Sequence, residues 1–182
     1  MSIYYVRHGQ TDWNKLGYLQ GQSDIALNEE GIKQAKQVRD AMKQVHIDKI
    51  ICSPLQRTRH TASIINENYG LEIHEDKRII ERYFGEVEGA KRKDIVFEDF
   101  WKWEKPVQYG MESIDEVFHR VYDFLDDIME EAMHQNILVV AHGGVSIPFQ
   151  CYFDEENRKK DLISLILKNC EVAQRESKVK VK

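Results

Sequence analysis

Ile137-Leu138-Val139-Val140-Ala141-His142-Gly143-Gly144 sets the architecture. Five apolar residues in succession put apolar side chains on both faces of a strand, so both faces must be covered. His142-Gly143-Gly144 then stops the run. The eighteen residues from Asn136 to Phe153 carry no Asp, Glu, Lys or Arg. A membrane span of that length would not contain His142, Gly143, Gly144, Pro148 and Gln150, so a buried strand, a turn and a buried helix are expected.

Working outward, Ser113 opens a long helix upstream, with Val117, Val121, Phe124 or Leu125, Ile128 and Ala132 on one face. Ile3-Tyr4-Tyr5-Val6 reads as another fully buried strand, stopped by Arg7-His8-Gly9. Asn28 is an N-cap ahead of Glu29 and Glu30, and the helix it opens buries Ile32, Ala35, Val38, Met42 and Val45. Ile47 to Cys52 is a short strand. Ser53-Pro54-Leu55-Gln56 has the pattern of a capping box with proline at the first helical position. The helix it predicts carries Ala62, Ile65 and Tyr69 and closes at Gly70, and Leu71-Glu72-Ile73 is the next strand. Gly85 to Gly110 is irregular, aromatic and charged. A last strand is expected within Leu162 to Ala173, and a solvated basic tail from Arg175 to Lys182. Strands alternating with helices predict one domain over residues 1–182, a three-layer α/β/α sandwich with a mainly parallel central sheet. A small inserted cap is expected at about residues 86–110.

Composition narrows the function. The chain has 182 residues and a net charge of −5 with pI ≈ 5.8, which disfavours a nucleic-acid or anionic-membrane partner. Hydrophobic residues at 42% can bury a real core. Cys52, Cys151 and Cys170 are odd in number and far apart, without metal or disulfide spacing, as expected of reduced thiols in a cytoplasmic protein. His46, His60, His74, His119 and His134 show no metal-ligand spacing either, so no metal is expected.

In a parallel sheet, ligands bind outside the carboxyl ends of the strands. Three strands end in unusual polar residues: Val6 runs into Arg7-His8-Gly9, Cys52 into Ser53 through Arg57, and Ala141 into His142-Gly143-Gly144. If these strands are parallel neighbours, two histidines and two arginines meet in one crevice. That set suits a phosphate dianion. Guanidinium forks match phosphate oxygens, a helix start beside Arg57 adds N–H donors, Gly143 and Gly144 allow close backbone approach, and Asn14 can donate an amide hydrogen. A neutral histidine is also a competent nucleophile toward phosphorus.

These residues carry a resemblance. Arg7-His8-Gly9-Gln10-Thr11-Asp12-Trp13-Asn14 resembles the R-H-G-x-T/S-x-x-N signature of the histidine phosphatase superfamily, the phosphoglycerate mutase-like proteins. Gln20-Gly21-Gln22-Ser23-Asp24, Ser53-Pro54-Leu55-Gln56-Arg57-Thr58, Glu81 through Gly89, and His142-Gly143-Gly144 are similar to its further motifs in the same order. Asn169-Cys170 resembles the start of its last strand. The resemblance implies that His8 becomes phosphohistidine, and that Glu81 first protonates the leaving oxygen and then activates water. It implies that Arg7, Arg57 and a protonated His142 hold the phosphoryl group, and that Asn14, Gln20, Gly21, Glu81 and Gly143 complete the site. No cofactor is implied.

The family contains hydrolases and mutases. Cofactor-dependent phosphoglycerate mutases of the family carry a larger insertion after the Glu81 motif, with paired arginines for a substrate carboxylate. The stretch from Lys91 to Tyr109 is short, and Lys91-Arg92-Lys93 lies too close to Gly89 to be that feature. A phosphomonoesterase of the histidine acid phosphatase type, acting on a small phosphorylated metabolite, is therefore expected. A mutase and a non-catalytic phosphate-binding protein on the same fold are the alternatives. Phe97, Phe100, Trp101, Trp103 and Tyr109 would form either a satellite core under an inserted helix or an apolar wall over the leaving group.

Overall fold

A computed structural model describes residues 1–177. One five-stranded sheet runs in the order β3-β2-β4-β1-β5, with β1 at Ser2–Arg7, β2 at Lys49–Cys52, β3 at Ile73–Glu75, β4 at Ile137–Ala141 and β5 at Val172–Glu176. The first four are parallel, and β5 pairs antiparallel with β1. The apolar run Ile137–Ala141 is β4, buried at all five positions and flanked by β2 and β1.

Five α-helices accompany the sheet: α1 (Asp12–Leu16), α2 (Glu29–Ala41), α3 (Gln56–Asn66), α4 (Ile114–Ala132) and α5 (Gly143–Phe153). Strand side chains alternate between two cores. Ile3, Tyr5, Ile51, Ile137, Val139 and Ala141 pack against Val117, Val121, Phe124 and Leu125 of α4 and Val145 and Phe149 of α5. Val6, Ile50, Cys52, Leu138 and Val140 pack on the other side against Val38 and Met42, and against Ala62 and Ile65 of α3. Two helix layers over one sheet make the α/β/α sandwich. Among the described residues no helix is long and apolar enough to cross a membrane.

The N-caps expected at Asn28 and Ser113 are present, the latter as a reciprocal capping box with Glu116. The one expected at Ser53 is not. α3 begins at Gln56 after an extended Leu55, and its first N–H is met from a distance by Asp24, whose Oδ1 accepts from Gln56 N at 2.7 Å. The Ser53 hydroxyl is engaged with His142 instead. β3 begins at Ile73, two residues past the expected start. The last strand is Val172–Glu176, not the apolar stretch before it. Leu162–Leu165 forms a 3-10 turn, because Leu162 and Leu165 face a third core outside the sheet. Arg175 and Glu176 accordingly belong to β5, Ser177 follows with its N–H donating to Met1 O at 3.0 Å, and the remainder of the expected basic tail, 178–182, lies outside the described residues.

That third core lies beneath residues 85–112. The segment is built from 3-10 turns at Gly85–Val87, Arg92–Asp94 and Phe97–Trp101 rather than an inserted helix. Phe84, Phe100, Trp101, Met111, Phe118, Ile147, Leu162 and Leu165 bury their apolar surface together there. Arg82 stands inside it, 2% exposed, donating to the Glu112 and Phe100 carbonyls and stacked 4.7 Å from the Trp101 ring.

Candidate active site

Strand register assembles the site. Arg7 lies beside Ala141 and Cys52 beside Val140, and the ladder extends one residue further, His8 N donating to Ala141 O and Ser53 N to Val140 O, both at 3.0 Å. His8, Ser53 and His142 thus leave three adjacent parallel strands at the same sheet end. At that end lies a cleft lined by Arg7, His8, Asn14, Gln20, Gly21, Arg57, Glu81, Arg92, Gly143 and Gly144, together with an apolar wall of Leu19, Phe84, Phe97, Trp101 and Ile166, whereas Ser53 and His142 are fully buried and do not line it.

His8 is buried, and its Nδ1 lies 2.7 Å from the Gly9 carbonyl. A carbonyl can only accept, so Nδ1 carries the hydrogen and Nε2 keeps its lone pair. Burial first, then the Arg57 and Arg7 charges, holds the ring pKa well below the usual 6.5. Asn169 Nδ2 donates to the His8 carbonyl at 2.9 Å, which steadies the backbone.

Arg57, 1% exposed in the first turn of α3, is aimed by two carbonyls, Ser23 on Nη1 at 2.8 Å and Gly21 on Nη2 at 2.7 Å. Desolvation lowers its pKa to about 10, so it stays charged at neutral pH. Arg7 donates through Nη1 to Leu167 O at 2.6 Å. Among the described residues both arginines keep a buried Nε without a hydrogen-bond partner. Asn14 Oδ1 accepts from Thr11 N and Asn169 Nδ2, which leaves its amide nitrogen for the cleft. Gln20 is buried, its Oε1 accepting from the Thr11 hydroxyl at 2.9 Å. Gly21, at φ +52°, has a carboxylate against its α-carbon: an added Cβ would stand 1.9 Å from Glu88 Oε1. Its carbonyl orients Arg57, a role the expectation of direct phosphate contact did not include.

His142 is the correction of substance. It is fully buried, and desolvation, followed by Arg57, His8 and Arg7, drives its pKa well below 6.5. A protonated His142 does not fit these surroundings, and the arginines carry the positive charge. The ring is held by Ser53 Oγ, 2.6 Å from Nε2, while Nδ1 has no partner among the described residues. Tyr5 clamps the backbone, its hydroxyl donating to His142 O at 2.6 Å and accepting from His142 N at 3.1 Å.

Glu81 reaches the cleft at the end of a segment pinned by α4, where Arg120 Nη1 donates to the Arg78 and Ile80 carbonyls at 2.6 and 2.7 Å. Its carboxylate accepts from Gly144 N at 3.1 Å and from Arg82 N at 2.9 Å. Position 144 must be glycine for this contact, since a Cβ there would stand 2.3 Å from Glu81 Oε1 and 3.0 Å from the Trp101 ring. Glu88, the neighbouring acid of the motif, is spent on Gln22 N, Ser23 N, Ser23 Oγ and Phe84 N.

Motif reading missed Ser53, Asn169 and Arg92 as site residues. In the sequence Ser53 has the pattern of a helix cap, and Arg92 lies in a basic triplet with nothing to single it out. Arg82, adjacent to Glu81, is turned away into the lid core. Burial raises the Cys52 and Cys170 thiols to about 12 and Cys151 to about 11, which keeps them out of nucleophilic chemistry. Among the described residues no three His, Cys, Asp or Glu are grouped to hold a metal ion.

The family model of the histidine phosphatase superfamily (branch 1) matches residues 3–178. Phosphoserine phosphatase 1 of Hydrogenobacter thermophilus is 37% identical over 149 residues, 78% of this chain and 71% of that protein. A probable phosphoglycerate mutase, GpmB, of Erwinia tasmaniensis is 35% identical over 151 residues, 79% and 70% of the two chains. The crystal structure of a phosphoserine phosphatase mutant from Entamoeba histolytica in complex with phosphoserine superposes with a TM-score of 0.81 at 27% identity, over 95% of this chain and 89% of that one.

Proposed function

The chain belongs to the histidine phosphatase superfamily, branch 1, and from that membership we propose that it hydrolyses a small phosphomonoester through a phosphohistidine on His8. The observation that carries the reading is the state of His8: buried, neutral, its Nδ1 hydrogen given to Gly9 O, its Nε2 left free beside two guanidinium groups.

The placement of these residues supports the following chemistry. Nε2 of His8 attacks phosphorus, the P–O bond to the alcohol breaks, and Glu81 in its acid form protonates the leaving oxygen. Glu81, now a carboxylate, takes a proton from water, whose oxygen attacks the phosphohistidine. The P–N bond breaks, inorganic phosphate leaves and His8 is restored. Phosphoryl transfer needs charge neutralisation and alignment more than covalent assistance, and Arg7 and Arg57 supply both. Asn14 adds a neutral amide donor, and His142, buried beside His8, packs its ring edge-on against the nucleophile. The site forms within a single domain, with residues 86–110 as its cap.

Water is the acceptor we favour over a sugar acid, because the lid over residues 85–112 is short and Arg82, next to Glu81, turns its guanidinium into the core beneath that lid. The relative named a probable mutase keeps mutase chemistry as the second reading. Phosphoserine, bound in the related structure, exemplifies the size of substrate.

The test is to quench the enzyme during turnover and look for acid-labile phosphate on His8. His8→Ala should retain the fold and lose turnover and labelling together. Full turnover in His8→Ala would overturn the mechanism.

A further inference from the structure

Among the described residues the apolar wall of the cleft carries a single polar side-chain atom, the indole nitrogen of Trp101. Trp101 closes the 3-10 turn Phe97–Trp101 and is 2% exposed. Its N–H is buried and has no hydrogen-bond partner among the described residues. A buried indole N–H ordinarily finds an acceptor, because leaving it unmet costs its hydration. The groups packed on the ring supply none. The Arg82 guanidinium lies 4.7 Å from the ring centre, Phe84 meets the ring in a T-shaped contact, and the carbonyl of the preceding residue, Phe100, accepts from Arg82 Nη1.

The edge of the ring has a telling neighbour. Trp101 Cζ2 is bonded to the ring carbon that bears the N–H. A Cβ on Gly144 would meet that atom at 3.0 Å and Glu81 Oε1 at 2.3 Å, so the indole edge and the carboxyl group stand against the same point of the cleft wall. An acid must lie within hydrogen-bond reach of the oxygen it protonates. An oxygen that reaches the Glu81 proton therefore comes up beside the indole edge.

We propose that the Trp101 N–H donates a hydrogen bond to the ester oxygen as it leaves phosphorus, and then to the water that takes its place, which makes Trp101 a catalytic residue beside Glu81. The proposal rests on the hydrolase reading and adds a second donor at the leaving-oxygen position. When the P–O bond breaks, its electron pair stays on that oxygen. Glu81 supplies the proton, and Trp101 keeps its own. The indole dipole is fixed before the charge develops, so the bond strengthens in the transition state. Water attacks the phosphohistidine from the side the alcohol left, gives a proton to Glu81, and uses a second lone pair to accept from Trp101.

The experiment separates the two half-reactions with propyl phosphate and 4-nitrophenyl phosphate. Trp101→Phe keeps an aromatic ring and removes the N–H. A second variant carries β-(3-benzothienyl)alanine at position 101, with sulfur in place of the N–H and the shape of the ring kept. Both should phosphorylate His8 from propyl phosphate roughly 10–100-fold more slowly than the native enzyme, the worth of a hydrogen bond to a charged group. KM should change little, since the interaction is made mainly in the transition state. Phosphorylation from 4-nitrophenyl phosphate, whose leaving oxygen gathers little charge, should slow far less, and hydrolysis of the phosphohistidine should slow in both variants. A native rate in the benzothienylalanine variant would show that only the shape of the ring matters and would overturn the proposal. Equal slowing of phosphorylation from the two esters would overturn it as well. The loss should persist in a Glu81→Gln background, and its disappearance there would mean that Trp101 acts only through Glu81 and rule out the direct contact. Absence of phosphohistidine in the native enzyme with either ester overturns the hydrolase reading beneath it.

Discussion

Glu81 is a carboxylate with two backbone N–H partners, one from its own neighbour and one from the start of α5. Asp12, Glu86 and Glu88 share its motifs, yet none of them lines the cleft. This separates the acids that composition could not. A general acid matters most for a poor leaving group, so Glu81→Gln should slow alkyl phosphate hydrolysis by roughly 10²–10⁴-fold. An aryl phosphate, whose phenolate leaves without a proton, should still phosphorylate His8 quickly and then stall, giving a burst of phenol and a slow steady state. Equal losses on alkyl and aryl esters in single-turnover measurements would remove Glu81 as the acid. His8 and Arg57 were legible from their places after two apolar runs, whereas Glu81 follows no strand and was found only through family resemblance.

At the scale of elements, the lid over residues 85–112 is held by a buried cation rather than by regular structure. Arg82 satisfies the Glu112 and Phe100 carbonyls and stacks between the Phe84 and Trp101 rings, 5.5 and 4.7 Å away. Burial lowers its pKa to about 10, still well charged at neutral pH. Arg82→Ala leaves two acceptors unmet and a void beneath Trp101, and should cost roughly 2–4 kcal/mol in urea unfolding. Arg158, which covers Trp103 and Phe118 at 5.2 Å, is a surface counterpart, and Arg158→Ala should cost less than about 1 kcal/mol. If the two variants unfold at the same urea concentration, the lid is not pinned from within. The lid's turns are not legible in the sequence because its aromatics follow no helical or strand period, although Phe97, Phe100 and Trp101 pack into one cluster with Phe84. β5 escaped for a related reason: of its five residues only Ala173 is buried, so no apolar run announces it.

Across the whole molecule, the sheet end that builds the site also buries two histidines in neutral form. Both His8 and His142 have pKa values driven well below 6.5, chiefly by desolvation. In the unfolded chain they take up protons as pH falls through about 6.5, while in the folded protein they do not. The unfolded state then binds more protons, so stability falls with pH from about 6.5 downward, by up to about 1.4 kcal/mol per pH unit for each histidine. Above that window the two make no further difference. Urea unfolding between roughly pH 5 and 6.5 should show this slope, and His142→Gln should flatten it relative to the native protein. An unchanged slope would mean that His142 is protonated in the fold.

The α/β sandwich was already written in the order of apolar runs. A chain that places Ile137–Ala141 between helices, with polar residues following each strand, has few ways to cover both faces of its sheet. The convergence of His8 and Arg57 on one crevice, with His142 buried beside His8, followed from the same rule about strand ends. The charge on His142, the engagement of Ser53, the inward turn of Arg82 and the place of Arg92 in the cleft wall did not. Each depends on which groups stand within a few ångströms across the chain, and burial beside Arg57 or beneath Trp101 is a property of the packed molecule. Local sequence names the donors and acids, and their protonation and aim arise only when distant segments close around them.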